Sequence, residues 1–203
     1  MEILSQTRNV QAVQPHLRKC FDNILKIEFA PGKGSKDITG MWSAELEQVN
    51  FSGIVKAEGN VEFWLRDIER MMIKSLYDIT KLALEEYPAN GIERNEWLFN
   101  YPAQPVITID QVTWTSGVTA AITEIMRGKN RKALEEFLDF SVKQINKMVD
   151  LVRGELTSHQ RTLMGALIVI DVHAREVVRN MIKARVETMN DFEWMKQLRY
   201  YWE

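Results

Sequence analysis

The apolar positions of this chain recur mostly at intervals of three and four. Val61, Trp64, Leu65, Ile68, Met72, Leu76, Ile79 and Leu82 trace one continuous stripe, the signature of a helix with a single buried face. Asn60 stands where a capping residue is needed, so the pattern predicts a helix from residue 61 to Tyr87, just before Pro88. At roughly 1.5 Å per residue it would be about 40 Å long, a rod suited to bearing force.

The N-terminal third is less regular. Val10, Val13, Leu17, Cys20, Phe21, Ile24 and Leu25 keep helical spacing, with Pro15 tolerable in a first turn or at a kink. Pro31 to Ser35 then breaks the pattern, and the stretch to Val55 is rich in Gly, Ser and isolated β-formers. It predicts a small hairpin with strands near 38–43 and 48–51, which must pack on helices because two strands alone are marginal.

Further along, Glu93 to Asn100 predicts a short helix bounded by Gly91 and Pro102. Val106 to Thr119 carries many β-branched residues that favour strands, yet Ile109, Val112, Ile122 and Met126 fit a helical face; helix is the expectation. Ala133, Leu134, Phe137, Leu138, Ile145, Met148, Val149 and Val152 define another amphipathic helix, ended by Gly154. Thr157 followed by Gln160 resembles a capping box and opens a last long helix to about Val186. Its run from Leu163 to Ile170 is apolar on several faces and should lie at the centre of the bundle. The fold class is mainly α, an elongated multi-helix bundle with one small β-hairpin near the N-terminal third.

Composition adds exclusions. The 203 residues are 45% hydrophobic and 27% charged, ordinary for a globular protein, with a formal charge of −2, which gives no general attraction to nucleic acid or to an anionic membrane. The single cysteine, Cys20, excludes an intrachain disulfide, and no basic-then-apolar leader opens the sequence. The longest apolar run falls far short of the roughly 20 residues of a membrane-spanning helix. Neither nucleic acid nor membrane is an expected partner.

Candidate chemistry is sparse. Gly32-Lys33-Gly34-Ser35 superficially suggests a phosphate loop, but position 27 is Ile27 and Lys33 is followed by Gly34, against the Walker spacing. His16, His159 and His173 lack the i, i+4 spacing of paired ligands. Asp171, His173 and Arg175 are expected to hydrogen-bond at the bundle edge, and Cys20 to be half-buried. No catalytic, cofactor or metal residues are expected. The dense feature is the C-terminus, where Trp194, Leu198, Arg199, Tyr200, Tyr201 and Trp202 crowd together. Aromatics with polar tips suit interfaces, and two readings are open: an interface, or a terminal helix folded back on the bundle.

Longer motifs carry a resemblance. GALIVIDVHARE at 165–176 and QLRYYWE at 197–203, preceded in order by VQPHLRKCFDNI (13–24), ITGMWSAELEQVNF (38–51), VEFWLRDIERMM (61–72) and EWLFNYPAQPVITI (96–109), resemble dynein heavy chains, the axonemal ones in particular. The resemblance implies the C-terminal part of the linker, the helical arm joined to the first AAA+ module. Residues 1–203 would then be a ring-proximal fragment: a helical lead-in at 1–30, a loop and hairpin at 31–58, and a helical bundle with the ring junction at 59–203. It implies a non-enzymatic mechanical element that passes ATP-driven change from ring to tail, with ATP and Mg bound in the ring rather than in this segment. The ring of the same heavy chain would be its partner, and other dynein subunits and microtubules would be met through other regions, in the cytoplasm at the axoneme of a cilium or flagellum. The six C-terminal residues would mark the ring junction. A free-standing helical adaptor that binds a partner through exposed apolar surface is the alternative.

Overall fold

The computed structural model describes residues 10–32, 34–88 and 93–203. The chain divides into two compact units, residues 1–85 and 86–203, each built around its own apolar core.

In the first unit a 3-10 turn (Val10–His16) runs into a short helix α1 (Leu17–Cys20) and then a three-stranded antiparallel sheet in the order β1 (Ile24–Phe29), β2 (Asp37–Ser43), β3 (Gln48–Lys56). The two expected strands are present, and the helical lead-in ends at Cys20 instead of reaching Leu25. Asn23 adopts a left-handed φ of 58°, a conformation that Asn tolerates better than most residues, and it turns the chain into an extended edge. Ile24 and Leu25 therefore sit in a third strand paired with β2, and the hairpin becomes a sheet. The register slips between Ile38 and Gly40 on β2, and a side chain at Gly40 would stand 2.8 Å from the Val49 carbonyl oxygen, so this close approach needs glycine. Of the Pro31–Ser35 break, Lys33 lies outside the described residues.

The long helix α2 (Val61–Glu85) covers the sheet. Trp64, Leu65 and Ile68 meet Ile27, Ile38, Val49 and Val55 in one core with Val13 and Leu17, which supplies the packing that an isolated hairpin lacks. A polar stitch fixes the helix on the sheet. The Ser52 amide donates to Ser75 Oγ at 2.9 Å, and Ser75 Oγ donates to the Met71 carbonyl at 2.7 Å. Leu82, expected on the buried stripe, is half exposed, because the buried face passes to Thr80 and Ala83 in the last turns.

The second unit starts with a short helix α3 (Arg94–Trp97), followed by α4 (Ala103–Met126), α5 (Ala133–Val152), α6 (Ser158–Lys183) and a single turn α7 (Phe192–Met195). The Gly91 boundary expected before α3 lies outside the described residues. The ambiguous stretch is helix: Thr108, Thr113, Thr115 and Thr123 each donate a hydroxyl to the carbonyl four residues back, at 2.7–2.9 Å, so their polar tips are satisfied within the helix itself. Met126, expected on its buried face, is exposed. At Gly117 an added Cβ would stand 2.3 Å from the Phe137 ring, so α4 and α5 approach closely there.

The Thr157–Gln160 capping box forms, with both reciprocal bonds at 3.0 and 3.2 Å. Helix α6 buries Leu163, Met164 and Leu167 on one side and Val177, Val178 and Met181 further on. It is not the bundle's centre, as Val169 is 70% exposed; α6 packs mainly on α5, and less on α4 and α7.

Candidate functional site

Two features of the second unit carry chemistry, and the first lies where α3, α4 and α6 meet. Arg94 opens α3 and is 7% exposed. Its Nη2 donates to Asp110 Oδ1 of α4 and, at 3.2 Å, to Asp171 Oδ2 of α6. One guanidinium thus serves two carboxylates, Asp110 buried and Asp171 partly buried. Burial works against the Arg94 charge, but Asp110 and Asp171 outweigh it and hold the group protonated above its ordinary value. Burial also drives the Asp171 carboxyl up, reinforced by the charge of Asp110 and a hydrogen bond with it and opposed by Arg94, to about 7. The site therefore favours one proton shared between two carboxyls over a second full negative charge.

Aromatic rings flank this cluster. Tyr87 meets Trp97 edge-on at 5.0 Å, Trp97 is fully buried, and Tyr101 lies 5.9 Å beyond it. The Tyr101 hydroxyl donates to Glu86, and burial together with that carboxylate pushes its phenol up to about 12. Burial raises the Tyr87 phenol as well, against the pull of Arg94.

The second feature is the C-terminal segment. Asp191 stands before α7 and accepts the Glu187 and Thr188 amides at 2.7 and 2.8 Å, bonds that hold its carboxyl below the usual range. This turn sends Trp194 inward, where its ring stands 5.9 Å from that of Trp114, and the Arg199 guanidinium lies over the Trp194 ring at 5.5 Å. The Tyr200 amide donates to Thr115 Oγ1 at 3.2 Å. The segment thus folds back on α4, yet Leu198 is 75% and Tyr201 63% exposed; Trp202 is half-buried. Trp194 and Tyr200 pack back on α4, while Leu198 and Tyr201 face outward.

Other candidates separate. Asp171 is the only member of the Asp171, His173, Arg175 group drawn into the buried cluster. His173 is exposed, and Arg175 pairs with Glu176 at 2.7 Å, which also holds Arg179 at 2.6 Å. Cys20, expected half-buried, is exposed. Among the described residues no group of three or more His, Cys, Asp or Glu could hold a metal, and no helix is long and apolar enough to cross a membrane. The element that follows the glycine loop is strand β2. Sequence reasoning missed Arg94 and Asp110. The usable signal was Asp110, a lone carboxylate inside the apolar run VITIDQV.

Comparison with known proteins gives concordant matches. The family model for the dynein heavy chain, N-terminal region 2, matches residues 1–83. The whole chain aligns with dynein axonemal heavy chain 1 of Homo sapiens at 44% identity, with heavy chain 3 at 43% and with heavy chain 6 at 40%. It spans 4%, 5% and 5% of their lengths respectively.

Proposed function

From the premise that this chain belongs to the dynein heavy chain family, with which all of it aligns at 40–44% identity, we propose that it is a non-catalytic linker segment that passes ATP-driven displacement from the motor's AAA+ ring towards the tail. The observation that supports this reading is an alignment over the whole chain with relatives about twenty times longer, its residues 1–83 matching the family's N-terminal region 2. The axonemal relatives place the segment in the microtubule cytoskeleton of a cilium or flagellum. ATP and Mg belong to the ring, and the other dynein subunits and the microtubule are met through other parts of the heavy chain.

The outward face of the C-terminal segment is the candidate ring contact. Trp194 and Tyr200 hold the segment on α4, and Arg199 lies over the Trp194 ring, while Leu198 and Tyr201 are free to be covered by the ring of the motor. A mechanical contact differs from a catalytic one in what its loss removes. Replacing Leu198 and Tyr201 together by Ser in an intact heavy chain should slow microtubule gliding severalfold while ATP turnover persists. Unchanged gliding would defeat the junction assignment, and equal loss of turnover and gliding would point to a role in the ATPase cycle instead.

A further inference from the structure

Behind the Arg94 cluster lies a cavity of about 230 Å³ whose walls include Tyr87, Trp114, Phe137 and Phe140. Three buried polar atoms among its lining residues have no hydrogen-bond partner: Arg94 Nη1, Trp114 Nε1 and Gln144 Oε1. The proposed function uses none of them. Buried polar groups in native proteins are nearly always paired, and an unpaired one calls for an explanation.

We propose that this cavity binds an uncharged amide carried on an apolar or aromatic body, its carbonyl accepting from Arg94 Nη1 or Trp114 Nε1 and its N–H donating to Gln144. Charge decides against the alternatives. The guanidinium already faces two carboxylates, so an anion entering the cavity would meet Asp110 and Asp171. A cation would stand against Arg94 and leave Nη1 without an acceptor. An amide supplies both acceptor and donor without adding a charge beside Arg94 and its two carboxylates. The aromatic walls suit a flat ligand, and a volume near 230 Å³ is below the roughly 300–1,000 Å³ of drug-sized sites, so the ligand is small. The amide can come from a free carboxamide or from an apolar polypeptide segment.

The test uses three probes that share a phenyl body and differ in the head: benzamide, benzoate and benzylamine. Each is titrated into the isotope-labelled full chain while the Trp114 indole N–H and Arg94 side-chain NMR signals are followed. Benzamide should move both signals saturably, with Kd about 1 mM, and the two charged probes should bind about tenfold more weakly or not at all. Ser141→Leu, which fills the cavity from α5, should abolish the benzamide response. If that variant does not fold, the comparison of heads in the unaltered chain decides alone. N-acetylphenylalaninamide binding more tightly than benzamide assigns the site to a polypeptide partner, and weaker binding assigns it to a free carboxamide. Equal binding of all three heads, absence of saturation, or a benzamide response that survives Ser141→Leu overturns the proposal.

Discussion

At the scale of single residues, the sharing of Arg94 between Asp110 and Asp171 makes a prediction opposite to simple ion-pair counting. The Asp171 carboxyl is raised in the folded state from its ordinary 3.8 to about 7, so the folded chain holds a proton that the unfolded chain releases. Its contribution is fully present below about pH 4 and is lost as pH rises through 7. Asn is close to the protonated form in shape, accepting from Arg94 and donating to Asp110. Asp171→Asn should therefore match the parent in urea denaturation at pH 4–5 and exceed it at pH 8, by a few kcal/mol at most. A variant less stable than the parent at pH 8 would sink the shared-proton assignment. Arg94→Leu should instead cost roughly 3–5 kcal/mol at pH 8, because it strands two buried carboxylates. The cluster was illegible in the sequence for a plain reason: Arg94 lies 16 residues from Asp110 and 77 from Asp171, and nothing local links them.

At the scale of elements, what could be read depended on how local the determinant was. The stripe on α2, the Thr157–Gln160 box and the periodic face of α5 are written within a few turns of chain, and they form as expected except at Leu82, where the α2 stripe ends. Strand β1 was missed because ILKIEF also continues a helical spacing, and only pairing with β2 and the turn at Asn23 choose between the two. The centrality expected of α6 failed because an apolar run does not say how many faces find neighbours. Two substitutions test the elements. Thr157→Ala removes the bond to the Gln160 amide at an exposed N-terminus and should cost about 1 kcal/mol, seen as faster hydrogen exchange in the first turn of α6. Trp64→Ala empties a site only 2% exposed in the core of the first unit and should cost roughly 3–5 kcal/mol, read from the denaturation midpoint. No loss of stability would mean that α2 is not held by this face.

At the scale of the molecule, the division at residues 85 and 86 bears on how the proposed mechanical role would fail. A loosely packed element dissipates displacement in its own rearrangement, so transmission depends on the stiffness of each core that the path crosses. The first unit rests on a sheet under one helix, with Trp64 and Ile68 against Ile27 and Ile38. The second rests on packed helices, with Val118, Ile122, Val178 and Trp194 in contact. Separate cores are the basis of separate cooperative openings. Trp64→Ala should then accelerate amide exchange throughout β1, β2, β3 and α2 while α4, α5 and α6 keep their protection. Leu167→Ala, at a fully buried position on α6, should do the reverse. Hydrogen-exchange mass spectrometry of both variants resolves the two regions in one measurement. If either substitution loosens all elements equally, the chain opens as one cooperative body, and under the proposed linker role a single weak point anywhere in it would then be enough to interrupt transmission.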